Sequence, residues 1–182
     1  MRYLGAVLAV LRTFVRSLYA ASLCRRRCCA TGDDLARYFL ETSALVKLYV
    51  QEPGTDRLLP LISDGPDNQL AVLAISVVEV RSAIRRRQRA GDIDASAATA
   101  ILKSVQAHME TRFIRQMINE TVIDTALEMI DRYALRAYDA VQLAGCLVLC
   151  AIAAEAFTFV CSDPQLLEAA RSEQLAVLDP AA

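Results

Sequence analysis

The chain has 182 residues, of which 55% are hydrophobic, and its formal net charge at pH 7 is −1. This length and composition predict one domain with an appendage and a sizeable apolar core. Residues 1–37 hold seven basic and two acidic side chains, so the remainder has a net charge of −6. This acidic body excludes binding of nucleic acid by bulk charge, and RNA would need a local basic patch or a metal ion.

The cysteine pattern argues against a zinc finger. No Cys-x-x-Cys pair exists, and the chain has a single histidine. Three of the six cysteines lie in a basic leader and three in apolar surroundings: Cys24, Cys28, Cys29, Cys146, Cys150 and Cys161. We therefore expect free thiols and a reducing compartment, the cytoplasm.

Residues 1–36 do not resemble the rest of the chain, and we predict that they lie outside the fold. They form a basic, cysteine-containing extension without the roughly 20 consecutive apolar residues of a transmembrane helix. A signal peptide and a membrane-surface helix are alternatives. The simplest interpretation is an upstream extension, such as a start codon assigned too early would give, and the domain proper then spans residues 37–182.

Strands and helices alternate in the first half of this domain. The predicted elements are strand Tyr38–Leu40, helix Ala44–Tyr49 capped by Thr42 or Ser43, helix Thr55–Ile62, strand Leu70–Ile75 and a helix from Ser76 through Arg89. A second helix follows Asp94, with apolar residues at Ala98, Ile101, Leu102, Val105 and Met109. The two long helices predict an antiparallel arm.

The second half continues the alternation. The predicted elements are strand Arg112–Ile118, a helix capped by Asn119, an uncharged and buried helix Ala140–Ala154, strand Phe157–Cys161, a helix begun by Asp163 and Pro164, and a short edge strand at Leu175–Leu178. This order predicts an α/β fold with a parallel sheet covered on both faces.

Four carboxylates occupy the places where such a sheet presents functional groups. Glu41 and Asp163 follow strands, Glu79 opens the helix after the second strand, and Asp139 opens the uncharged helix. Because the carboxyl ends of parallel strands share one edge, we expect the four to converge. Carboxylates held together repel one another unless a cation is present, and Mg²⁺ or Mn²⁺ suits all-oxygen ligands.

Each acid also has a structural explanation. Ser76 and Glu79 have the spacing of a capping box, Asp163 is a good N-cap before Pro164, and Asp139 lies where the helix dipole favours negative charge. If all were independent caps, the chain would be a purely structural protein without a carboxylate-dependent response to Mn²⁺. Their occurrence together favours the metal site.

The single histidine, His108, is predicted to face solvent on its amphipathic helix. Acid–base chemistry by an imidazole is therefore not expected. Water activated by the metal is the expected nucleophile, and the metal would also stabilise negative charge on a phosphate.

The four segments that carry the acids resemble the motifs of PIN-domain proteins, most closely the VapC-type toxins of bacterial toxin–antitoxin pairs. They are residues 38–47 (YFLETSALVK), 76–83 (SVVEVRSA), 135–144 (LRAYDAVQLA) and 159–167 (FVCSDPQLL). Each motif alone is weak, but the ordered set, from about residue 36 to 180, is specific.

This resemblance implies a PIN-like three-layer α/β/α fold with a small central parallel sheet of four or five strands and a helical-hairpin arm. It also implies a Mg²⁺-dependent endoribonuclease that forms a homodimer, is silenced by a cognate antitoxin and has no integral membrane segment. Carried over by position, the acidic cluster that binds metal is Glu41, Glu79, Asp139 and Asp163. The supporting polar groups are Ser43, Gln142 and Ser162.

Two positions depart from the family pattern. The first acid is ordinarily Asp and is Glu41 here, so its carboxylate is displaced by about one C–C bond, while Mg²⁺ requires near-ideal geometry. A Thr or Ser often lies two residues before the fourth acid, where this chain has Cys161, a poor oxygen-ligand substitute that Ser162 would compensate. A PIN-fold protein that binds RNA or antitoxin without cutting is therefore an alternative. A haloacid-type phosphatase is disfavoured, because Glu41-Thr42-Ser43 lacks a second acid.

A basic run lies near the tip of the predicted arm, at Arg85, Arg86, Arg87 and Arg89. It is either a solvated helix face, a contact for the RNA backbone, or a dimer or antitoxin surface. The sequence does not separate these interpretations.

Overall fold

The computed structural model describes residues 35–63 and 68–182; the leader, including Cys24, Cys28 and Cys29, lies outside the described residues. The strands are β1 Arg37–Leu40, β2 Gln69–Leu73, β3 Phe113–Gln116, β4 Thr158–Val160 and β5 Val177–Leu178. The helices are α1 Thr42–Val46, α2 Thr55–Ser63, α3 Ser76–Ala90, α4 Ala95–Thr111, α5 Glu120–Tyr133, α6 Ala137–Ala153 and α7 Pro164–Ser172. Every predicted strand is confirmed, with ends within two residues of the prediction.

The five strands form one parallel sheet in the order β3-β2-β1-β4-β5. Successive side chains of a strand point to opposite faces, so each strand contributes to two cores. Phe39 packs with α5, α6 and α7 on one face, and Leu40 packs with α1, α3 and α4 on the other. The predicted three-layer α/β/α architecture is confirmed.

The strand order has a switch point beside β1. The chain proceeds from β1 to β2 and β3 on one side and then returns to place β4 on the other side of β1. Polar groups that follow β1 and β4 therefore meet at the crevice where connections diverge, the usual ligand position in an open α/β sheet. Glu41 and Asp163 follow these two strands.

Helix α6 lies against the sheet; Tyr138 in its first turn is exposed, but its middle, residues 140–149, is largely buried as predicted. Its last turn is not, because Ile152 is 69% exposed. Gly145 allows the close approach to the sheet: a Cβ there would lie 2.4 Å from Leu73 Cδ1 and 3.6 Å from Phe39 Cζ. No helix within residues 35–63 or 68–182 combines the length and hydropathy needed to cross a bilayer.

Helices α3 and α4 form the predicted arm, and α3 ends at Gly91 in the left-handed conformation. All five predicted apolar positions of α4 are buried. The prediction for His108 is wrong: it is only 3% exposed, and its Nδ1 lies 2.9 Å from the Tyr49 hydroxyl. Its place seven residues after Ile101 puts it on the apolar face of α4. Burial lowers the pKa of His108 to about 4, aided by the charge of Arg112.

We predict that Gly145→Ala destabilises the protein, although alanine is the better helix former by about 1 kcal/mol. The added methyl group would push on Leu73, whose side chain is fully buried in the core and would have to shift. Overpacking of this kind costs about 1–3 kcal/mol. Chemical denaturation measures the effect, with Ala151→Gly on the exposed last turn reporting helix propensity alone. An increase in unfolding free energy for Gly145→Ala would contradict the close packing.

Candidate active site

Glu41 is positioned by the end of β1 and the start of α1. Its backbone N–H donates to the Val160 carbonyl of β4 at 3.0 Å, and its Oε2 accepts from the Ser43 N–H at 2.8 Å. Glu41 is thus the N-cap of α1, and the predicted cap at Thr42 or Ser43 is wrong. The Glu41 side chain, one methylene longer than that of Asp, folds back onto its own helix. The hydroxyl groups of Thr42 and Ser43 therefore contact other elements of the fold.

Glu41 is only 8% exposed, and the pKa of its carboxyl group is raised. Burial is the main cause, and the negative charges of Glu79 and Asp139 raise it further. Hydrogen bonds from Ser43 oppose these effects. A buried carboxylate beside other carboxylates is the group that a cation would stabilise most.

Glu79 does not form the capping box that its spacing with Ser76 suggests. Helix α3 begins after Ile75 without a side-chain cap. Instead, Glu79 Oε2 accepts from Thr42 Oγ1 at 2.5 Å and from Gln142 Nε2 at 2.6 Å. These contacts join residues 37 and 63 positions apart, so this acid is fixed by tertiary structure and not by its own helix.

Asp139 and Asp163 open the last two helices. Asp139 lies in the first turn of α6, and its pKa is raised by burial, by Asp163 and by Glu79, against the lowering effect of Arg136. Asp163 is exposed and caps α7, since its Oδ1 accepts from the Leu166 N–H at 2.9 Å. The predicted cap before Pro164 is therefore confirmed.

The carboxylates at this edge interact electrostatically, with Asp139 linked to each of the other three acids. Glu41 is affected by Glu79 and Asp139, and Asp139 is affected by Asp163 and Glu79. Within the described part of the chain, however, no three His, Cys, Asp or Glu side chains stand close enough together to hold a metal ion. The acidic side chains are therefore farther apart than the ligands of a metal site built entirely from protein groups.

This donor set fits one common mode of Mg²⁺ binding. Mg²⁺ is usually held by one or two carboxylates, with water and substrate phosphates completing its octahedron. Glu41 and Asp139 supply two such carboxylates, and burial together with the neighbouring acids raises the pKa of both.

The end of β4 is tied to α1 by Ser43, whose Oγ accepts from the Ser162 N–H at 3.2 Å. The Ser162 hydroxyl is buried and has no hydrogen-bond partner among the residues described. Cys161 is fully buried, and its Sγ accepts from the Asp163 N–H at 3.2 Å. Burial, and secondarily the charge of Glu41, raises the pKa of Cys161. The thiol therefore shapes the turn before Asp163.

A cavity of about 580 Å³ adjoins two of the four acids. Glu41 and Glu79 line it together with Arg86 and Arg87, so it carries both signs of charge. Asp139 and Asp163 are not among its lining residues.

Two of the four arginines in the predicted basic run bind neighbouring side chains, and the other two are exposed. Arg87 forms an ion pair with Glu52, which also pairs with the buried Lys47 at 3.1 Å, and Arg85 donates to Gln88 at 2.6 Å. Arg86 and Arg89 are exposed and form no ion pair with any described residue.

Sequence reasoning missed several polar residues of this region. Thr42 and Ser76 contact Gln142, and Lys47 and Glu52 form the ion pair beside the cavity. The available signal was position: Thr42 and Ser76 are hydroxyl residues directly past β1 and β2, at the edge where the acids gather. Thr42, Ser76 and Gln142 are 34 or more residues apart and leave no local pattern, whereas Lys47 and Glu52 are only five apart.

Residues 38–172 match the sequence model of a family described as the PIN domain. No curated protein matches the chain significantly.

Two solved structures share the fold. One is a chain of a toxin–antitoxin complex from Klebsiella pneumoniae, at 14% identity and a TM-score of 0.50, covering 79% of this chain and 97% of that one. The other is FitAcB from Neisseria gonorrhoeae, at 16% identity and a TM-score of 0.56, with the same coverage of 79% and 97%.

We predict that Asp139→Asn raises the melting temperature in metal-free buffer at pH 7, by on the order of 1–3 °C. A raised pKa means that the charged form destabilises the folded state above that pKa, and the neutral amide removes this cost. Millimolar Mn²⁺ is expected to raise the melting temperature of the wild type and to affect the variant less.

Differential scanning fluorimetry with EDTA or Mn²⁺ measures both effects. Asp124→Asn, an exposed acid on α5, is the matched control and should change neither value. Equal Mn²⁺ responses of the wild type and Asp139→Asn would contradict a cation site at this cluster.

Proposed function

The chain belongs to the PIN domain family, and we propose that it is a Mg²⁺- or Mn²⁺-dependent endoribonuclease, the toxin of a VapC-type toxin–antitoxin pair. PIN domains are generally nucleases that use divalent metal ions. The observation that carries the proposal is the placement of Glu41 and Asp139 at the carboxyl edge of the sheet, where burial and, second, neighbouring acids raise the pKa of both carboxyl groups.

In this proposal, Glu41 and Asp139 are the principal ligands, and Glu79 and Asp163 complete the cluster directly or through water. The bound ion would supply an activated water as nucleophile and would neutralise charge on the scissile phosphate. Ser43 and Ser162 hold the ends of β1 and β4 together, so they fix the separation between Glu41 and Asp163.

The arginines of α3 support a polyanionic substrate. Arg86 lines the same cavity as Glu41 and has no acidic partner in the described structure, so it is available for a phosphate beside the acids. Arg89 is exposed one turn further along. Arg85 and Arg87 already bind Gln88 and Glu52 and would contribute less.

Protein partners are also part of the proposal. A cognate antitoxin would silence the toxin in the cytoplasm, and the chain would form a homodimer. The fold is shared with a chain from a solved toxin–antitoxin complex, which supports this assignment. Met117, Ile123 and Leu127 are exposed apolar side chains, and such groups suit protein–protein contact. The domain would span residues 37–182, with residues 1–36 as an extension outside it.

A second candidate is a PIN-fold protein that binds RNA or antitoxin without cutting. The observation that favours it is the Glu41 cap: one carboxylate oxygen is already occupied by the Ser43 N–H. A ligand one methylene longer than Asp, turned back onto its own helix, would weaken a site that demands near-ideal geometry.

The test is cleavage of RNA by the full chain in Mg²⁺ or Mn²⁺, with transfer RNA and unstructured RNA as substrates. We expect the wild type to cleave and Asp139→Asn to lose about 100-fold or more of the rate, because removing a metal ligand removes charge stabilisation at the phosphate. Asp124→Asn is the matched control and should cleave like the wild type.

Glu41→Asp separates the two candidates. A silent wild type with an active Glu41→Asp variant would establish the second candidate, a site intact except for one methylene. Silence of all variants on every RNA would remove the nuclease proposal.

A further inference from the structure

We propose that Thr42, Ser76 and Gln142 form a clamp that positions the carboxylate of Glu79 within the acidic cluster. Its catalytic consequence rests on the proposed function, whereas its effect on a bound cation can be measured without RNA. These are positioning residues, because they act through Glu79 and not on the substrate.

The clamp places two donors on a single oxygen. Glu79 Oε2 accepts from Thr42 Oγ1 at 2.5 Å and from Gln142 Nε2 at 2.6 Å. Gln142 Nε2 also lies 2.8 Å from Thr42 Oγ1 and 3.1 Å from Ser76 Oγ, so its second hydrogen has an acceptor. The carboxylate is thereby held from two directions, and its other oxygen has no hydrogen-bond partner in the described residues.

The orientation of the Gln142 amide follows from these contacts. The reversed amide would place Oε1 at 2.6 Å from a carboxylate oxygen, and two acceptors would then repel. In the observed orientation, Gln142 is only 1% exposed, and its Oε1 has no hydrogen-bond partner among the described residues. The amide is therefore held through its nitrogen alone, by the contacts with Glu79, Thr42 and Ser76.

The clamp joins three elements that each deliver a different acid. Thr42 adjoins Glu41, Ser76 begins the helix that carries Glu79, and Gln142 lies three residues after Asp139 on the same face of α6. Without these bonds, the Glu79 side chain regains its rotamer freedom, and its distance from the other acids is no longer fixed. Partners that orient a ligand typically change metal affinity or activity by about 10–100-fold.

The principal experiment measures Mn²⁺ affinity of the full-length protein by isothermal titration calorimetry. Thr42→Val keeps the shape but removes the hydroxyl, and Gln142→Met keeps the length but removes the amide. We expect both to weaken Mn²⁺ binding by about tenfold or more. Thr42→Ser retains the hydroxyl and is expected to restore affinity to within about twofold of the wild type.

Melting temperatures in EDTA and side-chain NMR control for misfolding. The Gln142 amide protons are expected to exchange with water more slowly than those of the exposed Gln106, and to lose this protection in Thr42→Val. Equal Mn²⁺ affinity in folded Thr42→Val, Thr42→Ser and wild-type protein would overturn the clamp, as would rapid exchange of the Gln142 amide.

RNA cleavage separates the two proposals. If the wild type cleaves RNA, the clamp predicts that Thr42→Val lowers kcat about tenfold with KM within twofold, and that Thr42→Ser recovers kcat. If the wild type binds Mn²⁺ but cleaves no RNA, the nuclease proposal fails while the affinity series still supports or refutes the clamp.

Discussion

The repulsion among carboxylates at one edge of the sheet is the constraint on which the rest of this site depends. The pKa values of Glu41 and Asp139 are raised by burial and, second, by the negative charges of neighbouring acids. The protein offsets that cost by giving the acids separate anchors: Glu41 and Asp163 cap helices, and Glu79 is held by Thr42 and Gln142. These anchors fix the acids without neutralising them, an arrangement that a divalent cation would complete.

The scaffold brings the acids to this edge by packing. Alternate residues of β1 enter opposite cores, so the strand is buried on both faces, and its functional groups can only follow its carboxyl end. Gly145 lets α6 approach β1 and β2 closely, and that approach sets where the first turn of α6, with Asp139, meets the sheet. The position of the acidic side chains thus depends on the packing of the core.

Hydrophobic pattern and strand–helix alternation were sufficient to predict the parallel sheet and the helical arm, and residue type predicted the Asn119 and Asp163 caps. The errors arose where a tertiary contact replaced a local one. The Ser76–Glu79 capping box is absent because Glu79 binds Thr42 and Gln142, which lie far away in sequence. The prediction that His108 faces solvent on its amphipathic helix is wrong, because its helical spacing places it beside the buried residues of α4.

The most direct test of a cation site at the sheet edge is anomalous X-ray diffraction from crystals soaked in millimolar Mn²⁺. The account predicts an anomalous peak between the carboxylates of Glu41 and Asp139, with Glu79 and Asp163 close enough to contact the ion or its water. A well-ordered Glu41 that remains bound only to Ser43, with no Mn²⁺ peak at the cluster, would contradict it.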